Sequence, residues 1–399
     1  MTPGILPQYD IVLAGAGHTH LHVLRQWRTA PLPGARLTCV SSHPVAAYSG
    51  MLPGVLAGHY RPEEMEIDLV RLCAAVGARL IVGWVEGVDP KGRTLRIEGR
   101  PPLPFDRLSI GIGSTPSLRA AVESGAQLVA LKPMPTLLSR LDAALESVRE
   151  TSNGRLVNVA VVGGGAAGIE VALCLPAYLR QCLGRGVPVQ VTLVSAGDIL
   201  GGEPARFRRR VRQAAAHRGI HVITGHRVVT VRRKACTLAA GTDLDADLVL
   251  WATEASAPPL LERTGLPLDD RGFLLTDSTL RSLGDPSVFG VGDAGTIQGA
   301  PTPKAGVYAV RQGPVLWENL RRSIEGRAPT TYAPQHRFLK LIETGDGRAL
   351  GEWRGAVFGG RWAWRLKRAI DRRFVSKYQD ARAGGKRGPR VRFPPSTAR

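Results

Sequence analysis

The stretch VVGGGAAGIE, residues 161–170, decides the fold. Residues 156–162 are apolar and read as a buried strand, Ala166–Leu183 reads as a helix, and Gly163, Gly165 and Gly168 stand between them at GxGxxG spacing. In such a turn the first glycine permits the bend, the second lets backbone approach a phosphate, and the third lets the helix pack on the strand. The open helix N-terminus then points free N–H groups at a diphosphate. Residues 188–195 form the next strand of a βαβ unit and end in Val194-Ser195, where an acidic residue usually holds the adenosine ribose. Without that acid both NADH and NADPH stay open, with Arg206 and Arg208 as candidate counter-charges to a 2′-phosphate.

A second unit of this kind opens the chain. Residues 9–14 read as a strand, 18–28 as a helix and 36–41 as a strand, joined by GAGHTHLH at residues 15–22. This turn keeps Gly15 and Gly17 but carries His20 in the third position, and its following strand also ends in a serine, Ser41. His18 and His22 are four apart and would share a helix face, so a metal pair is one reading. No carboxylate or cysteine nearby completes such a site. The other reading, with no metal, has the histidines capping and packing at a phosphate turn, a donor facing the diphosphate.

Composition agrees with an enzyme-like globule. The 399 residues include 44% apolar and 22% charged residues and 47 glycines, and 53 basic against 33 acidic residues give a net charge of +20. Residues 361–399 alone hold thirteen basic and two acidic residues. That concentrates the surface-seeking charge at the C-terminus. The five cysteines form no CxxC pair and no metal-ligand spacing, and a reducing compartment is expected. Residues 1–9 lack signal-peptide character, and the apolar run 156–179 is interrupted by three glycines and so reads as strand, turn and helix instead of a membrane span.

Further strands are expected at 105–112, 221–223, 227–231, 247–252 and 288–291, a basic helix at 206–217, and an antiparallel patch within 326–355. FDRLSIGI runs into a turn at Gly113, and FGVGDA, residues 289–294, sets Gly292 and Asp293 at a strand end, where a carboxylate can accept from a polyol hydroxyl and a following helix start can direct its dipole at a ring carbonyl. Residues 361–378 space Trp362, Leu366, Ile370, Phe374 and Tyr378 at i, i+4 among arginines and lysines, a basic amphipathic helix that either lies on a membrane or packs on the body. The expectation is an α/β fold with two Rossmann-like dinucleotide-binding domains of three-layer ββα form and a small C-terminal α+β region. Residues 1–125 and 271–325 would form the first domain, 126–270 the second, 326–380 the C-terminal region and 381–399 a disordered basic tail.

Taken together, GAGHTH, FDRLSIGIGSTP, VVGGGAAGIE, LVLWATEA and VFGVGDA resemble, in order and spacing, the two-dinucleotide-domain flavoproteins that include type II NADH dehydrogenases and pyridine nucleotide-disulfide oxidoreductases. GAGHTHLHVLRQW, AYSGMLPGVLAGHY, TPKAGVYAVRQGP and GRWAWRLKRAIDRRF are most similar to the branch found alone or fused ahead of selenide, water dikinase. The resemblance implies FAD at the first turn, touching Gly15, Gly17, His18, Ser41 and Gly113, with Gly292 and Asp293 at the ribitol. It implies NAD(P)H at Gly163, Gly165 and Gly168. Glu170 would lie near the nicotinamide, its plain alternative being a first-turn carboxylate that suits the helix dipole. Lys304 would stabilise the anionic flavin, its alternative being a solvated surface lysine. Disulfide reductases carry a redox cysteine pair where this chain has AAYSGMLPGVLAGHY, and the sulfur-carrying cysteines of sulfide:quinone oxidoreductases also lack counterparts.

The flavin is therefore expected to pass electrons directly to an acceptor, a quinone first and an oxidised selenium or sulfur compound second. A flavin-containing redox sensor with a nucleic-acid-binding tail is the third reading, although no nucleic-acid-binding fold is evident. The location implied is cytoplasmic, with peripheral attachment to the inner face of the cell membrane through 361–379 as an option, and a homodimer stays open.

Overall fold

The computed structural model describes residues 7–184 and 186–379; the expected tail at 381–399 lies outside them. Two five-stranded parallel sheets dominate. In the first, the order is Val288–Gly290, Arg107–Ile110, Tyr9–Ala14, Ala35–Ser41, Arg79–Val82. In the second it is Leu128–Ala130, Leu248–Trp251, Val157–Val162, Val189–Ser195, His221–Thr224. Strands covered on both faces lack polar alternation, which is why residues 11–14 and 159–162 read as continuous apolar runs; Ile11 to Ala14 and Val159 to Val162 are all buried.

The chain winds the same way twice. From the middle strand of each sheet it crosses a helix, His18–Thr29 or Ala166–Leu183, to the strand on one side, while a later strand adds on the other. That reversal leaves a crevice at the carboxyl ends of the middle strands, where such sheets hold ligands. Smaller sheets cover the outer faces: antiparallel Val85–Asp89, Thr94–Ile97 and Leu103–Pro104 in the first unit, and in the second antiparallel Val228–Val231, Ala235–Leu238 and Asp243–Asp245, with Ala121–Val122 added in parallel to Val228–Val231. The pairing of Ala121–Val122 with the second unit starts that unit upstream of the expected 125/126 division. Thr115–Pro116 pairs with Ala255–Ser256, so the two connecting segments brace each other.

The C-terminal region is a three-stranded meander, Lys340–Glu343, Ala349–Trp353 and Ala356–Gly360, followed directly by the helix Arg361–Gln379. Its third strand was absent from the sequence expectation. The expected i, i+4 stripe is also corrected. A four-residue step turns an α-helix by 400°, so the row from Trp362 to Phe374 drifts by about 120° around the axis. Trp362, Leu366 and Ile370 are exposed, whereas Ala363, Lys367, Asp371, Phe374, Val375 and Tyr378 form the buried face. Lys367, expected among the solvated cations, is thus an inward-facing residue.

Candidate active site

The two glycine turns are built alike. Gly15 at φ +96 and Gly163 at φ +136 occupy conformations that side chains rarely adopt, and a Cβ on them would meet Gly111 O at 2.5 Å and Ala252 O at 2.3 Å. Each turn therefore lies against the backbone of the neighbouring strand's end. Gly17 and Gly165 cap their helices with closely matching dihedrals, φ −70, ψ 174 and φ −77, ψ 174, and neither helix has a side-chain cap. The first N–H groups of both helices are left for an external acceptor. A Cβ on Gly165 would meet nothing within 4 Å, the open approach a phosphate needs.

The third position separates the turns. Gly168 is obligatory, because a Cβ there would stand 2.0 Å from Gly163 O. His20 meets the same constraint differently. Its ring is completely buried, Nδ1 donating to Gly15 O at 2.6 Å and Nε2 accepting from Ser109 Oγ at 2.8 Å. The space comes from the next strand, since a Cβ on Gly111 would lie 2.6 Å from the ring. Burial lowers the His20 pKa to about 4 against the hydrogen bond to Gly15, so the ring is neutral. His20 accordingly supports the turn from beneath and presents no donor to a diphosphate, contrary to the capping role expected for the histidines. His18 and His22 also diverge: His18 lies against Tyr48 and Phe374, with ring centroids 5.5 and 5.3 Å away, whereas His22 accepts from Gln26 Nε2 at 3.3 Å. Among the described residues no group of three or more His, Cys, Asp or Glu is placed to hold a metal ion.

Asp293 lies where the first sheet ends beside this turn, with Ser114 Oγ donating to Oδ2 at 2.7 Å and Lys132 Nζ donating at 2.7 Å. Burial pushes its carboxyl up, but the Lys132 charge and the bonds from Lys132 and Ser114 outweigh that and hold it below the usual range. Lys132, which the sequence reading missed, comes from ALKP at the end of a second-unit strand, so it joins the two units at this point. The segment after Asp293 corrects another expectation. Gly292–Ala294 is a single 3-10 turn leading into the strand Gly295–Ile297, too short to carry a helix dipole. Gly292 N instead donates to Gln312 Oε1 at 2.6 Å on the long helix Gly306–Ile324. Gly113, at φ +78, has open space where a Cβ would project, and Ser41 is buried at its strand end.

Lys304 is not a solvated surface lysine. Nζ donates to Gly295 O at 2.7 Å and Thr296 Oγ1 at 2.8 Å and sits 3.9 Å over the Phe273 ring. Desolvation brings its pKa down to about 8, against the charges of Asp269 and Asp293. Arg208, the proposed counter-charge beyond Ser195, pairs with Asp198 together with Arg212; Arg206 stays exposed on the same helix.

The most concentrated set of buried charges lies between the turns, beneath the C-terminal helix. Glu170 is the fifth residue of its helix, which rules out the first-turn dipole reading. It accepts from Glu343 N at 2.8 Å and lies 3.9 Å from Lys367 Nζ. Lys367 donates to Gly50 O at 2.7 Å and Asp371 Oδ2 at 3.0 Å. Burial raises Glu170 to about 7 despite the Lys367 charge and the Glu343 N–H. Burial alone would push Lys367 down, but Glu170 and Asp371 reverse this and hold it protonated. Farther out, Glu343 accepts from His59 Nδ1 at 2.6 Å and Trp364 Nε1 at 2.9 Å. Phe374 stacks on Tyr48 at 4.3 Å, so one helix touches the surroundings of both turns.

All five cysteines are free, and none lies in the segment between residues 46 and 60. No helix among the described residues is long and apolar enough to cross a membrane.

The chain is similar to known proteins in sequence and in fold. An NADH dehydrogenase-like protein of Mycobacterium tuberculosis is 28% identical over 233 residues, covering 57% of this chain and 58% of its own. Demethylphylloquinone reductase NdbB of Synechocystis is 27% identical over 256 residues, covering 61% of each chain. The chain thus spans about three-fifths of the length of these relatives. The solved structure of sulfide:quinone oxidoreductase from Aquifex aeolicus superposes with a TM-score of 0.77 at 18% identity, over 94% of this chain and 92% of that one, which shows the shared fold. The model of the pyridine nucleotide-disulphide oxidoreductase family matches residues 9–313, and the chain belongs to that family.

Proposed function

We propose that this chain is an FAD-dependent NAD(P)H oxidoreductase, with FAD at the first glycine turn and NAD(P)H at the second, that reduces a quinone directly. The fit of the cofactors rests on the two uncapped helix starts and on glycine positions that a Cβ would fill. When bound, the flavin supplies the group that takes hydride from the nicotinamide and yields electrons to the acceptor. The chain's own residues position and supply protons. Gly15, Gly17 and Gly113 would line the flavin dinucleotide beside His18 and Ser41. Gly292 and Asp293 would meet its ribitol, Asp293 kept ionised by Lys132. Gly163, Gly165 and Gly168 would cradle the second diphosphate, and Lys304 would offset negative charge on the flavin ring.

The observation that carries the quinone reading is the two-faced C-terminal helix. Its inner face carries Lys367 and Asp371 and closes over Glu170, while its outer face presents Trp362, Leu366 and Ile370 among arginines. Quinone reduction takes up two protons, and a carboxyl with a pKa of about 7 can donate one and be recharged near neutral pH. Lys367 would orient that carboxyl, and the outer face would rest on the membrane that holds the quinone. The name of the Synechocystis relative, a demethylphylloquinone reductase, supports the same acceptor class.

The purified protein is expected to be yellow and to bleach anaerobically with NADH or NADPH. In steady-state assays with quinones, selenite and disulfides, the quinones should react fastest. A faster rate with an oxidised selenium or sulfur compound would replace the quinone by the acceptor that the selenide, water dikinase-associated branch suggests. Protein that is colourless and takes up no added FAD would refute the proposal at its base.

A further inference from the structure

At the end of the first sheet opposite the glycine turn, Arg93, Arg107 and Arg281 line a cavity of about 390 Å³ with Gly284, Asp285, Pro286 and Ser287. Arg107 opens the strand Arg107–Ile110, and Ser287 immediately precedes Val288–Gly290. The cavity is therefore a strand's length, about 13 Å, from Gly111 and the cofactor crevice.

We propose that this cavity is an anion site for a phosphate group, either inorganic phosphate or a small phosphate monoester. Three guanidinium groups meet a single carboxylate among its lining residues. Asp285, the one carboxylate among the lining residues, accepts from the N–H and O–H of Ser287, each at 2.7 Å. The Asp106 carboxylate next to Arg107 accepts from Asp10 N at 2.7 Å. Arg107 is held in place by donating to Ser323 Oγ, Ser323 O and Asp106 O. Arg281 is different: its guanidinium lies 5.8 Å from the Phe289 ring centroid, and its buried Nε has no hydrogen-bond partner. No acceptor or carboxylate among the described residues engages the rest of that guanidinium, and a phosphate oxygen is the acceptor that a guanidinium fork matches best.

The backbone adds a second observation. Arg93 itself has φ 48, and Leu280, just before Arg281, has φ 69. Both are conformations uncommon outside glycine, so two of the three arginine-bearing segments are held against local preference. Burial, then the charge of Arg93 and that of Arg281, also keeps the Arg107 guanidinium below its ordinary pKa. A dianion between the three would reverse that mutual repulsion.

The test uses FAD-loaded protein saturated with NADP⁺, so that both glycine turns are filled. Inorganic phosphate and glycerol phosphate are titrated calorimetrically at constant ionic strength, with chloride as control. Saturable phosphate binding is expected, weakened at least tenfold in Arg281→Gln and in Arg93→Gln, with flavin content and bleaching by NAD(P)H unchanged. Tighter binding of glycerol phosphate identifies the monoester as the ligand, and tighter inorganic phosphate identifies the free ion. Absence of saturable heat, an equal response to chloride, or unchanged affinity in the variants overturns the proposal. Should Arg281→Gln fail to fold, Arg93→Gln, in an exposed turn, decides alone.

Discussion

Lys367 and Glu170 face each other across the seam between the C-terminal helix and the helix that leaves the second glycine turn, the ammonium nitrogen 3.9 Å from the carboxylate. Two elements nearly two hundred residues apart thus set one protonation equilibrium, with Asp371, Tyr48 and Glu343 around it.

If Glu170 donates a proton to the acceptor, Glu170→Gln should lower kcat with quinone by about a hundredfold. Bleaching of the flavin by NAD(P)H in stopped flow should change by less than about tenfold, because that half-reaction needs no such proton. The pH profile of kcat should lose its limb near 7. Stability provides an independent check. The Glu170 pKa is raised from 4.5 to about 7, so its contribution is complete below 4.5 and is lost as pH rises through 7. The loss amounts to roughly 3 kcal/mol. Glu170→Gln should flatten the fall in melting temperature across that window, and an unchanged slope would show that Glu170 ionises normally.

Replacing Lys367 by Met should cost about 3–5 kcal/mol, because Asp371 and Glu170 would be left buried without their cation. The double variant Lys367→Met, Asp371→Leu should regain more than half of this loss in denaturant unfolding. A double-mutant cycle with near-additive effects would mean that the pair is not coupled. The kcat limb assigned to Glu170 should also move to higher pH in Lys367→Met, since the charge opposing its upward shift is gone.

The sequence made the fold legible where local rules suffice. Gly163, Gly165 and Gly168 between an apolar run and a helix specify a turn without reference to the rest of the chain. Three features of the site lay beyond that reach. Gly111 makes room for His20, but the two are joined only by the pairing of Tyr9–Ala14 with Arg107–Ile110. Lys132 reaches Asp293 across 161 positions, and ALKP offered only a lysine after an apolar strand. The Lys367 and Asp371 pair was visible at i, i+4, yet the exact i, i+4 row drew Phe374 onto the wrong face, because four residues overshoot a helical turn. Contacts between distant segments and slow drift around a helix are what periodicity cannot supply.

The accommodation of His20 is testable by adding the one methyl group that Gly111 lacks. Gly111→Ala should cost about 1–3 kcal/mol by overpacking and loosen FAD, read as a lower ratio of flavin absorbance to protein. Adding His20→Gly should relieve the clash, although Gly15 O and Ser109 then lose a partner. No recovery of flavin content in the double variant would place the strain elsewhere. Acid should act on the same region. His18, His20 and His22 are all lowered from 6.5 to about 4, chiefly by burial, so the stability they contribute is complete above 6.5 and is lost as pH falls through 4. Flavin release followed by fluorescence should rise within that interval.

The outer face of the C-terminal helix leads to the last expectation. Trp362, Leu366 and Ile370 are 55, 37 and 43% exposed on a helix whose other face is fully engaged, the Trp362 ring stacking on Phe358 at 4.9 Å. With about half of each side chain already covered, each could gain about 1 kcal/mol by complete burial in lipid, and Arg361, Arg365, Arg372 and Arg373, all exposed, about 1 kcal/mol each near an anionic leaflet. Together these exceed what a single acyl chain provides for marginal attachment. The protein should therefore float with anionic vesicles, less so at high salt because exposed charges are screened. Serine at 362, 366 and 370 together should abolish flotation and slow reduction of a vesicle-borne quinone at least tenfold, while the rate with a water-soluble quinone stays within about twofold. Equal flotation of the triple variant would assign the outward side chains to another partner and separate the acceptor from the membrane.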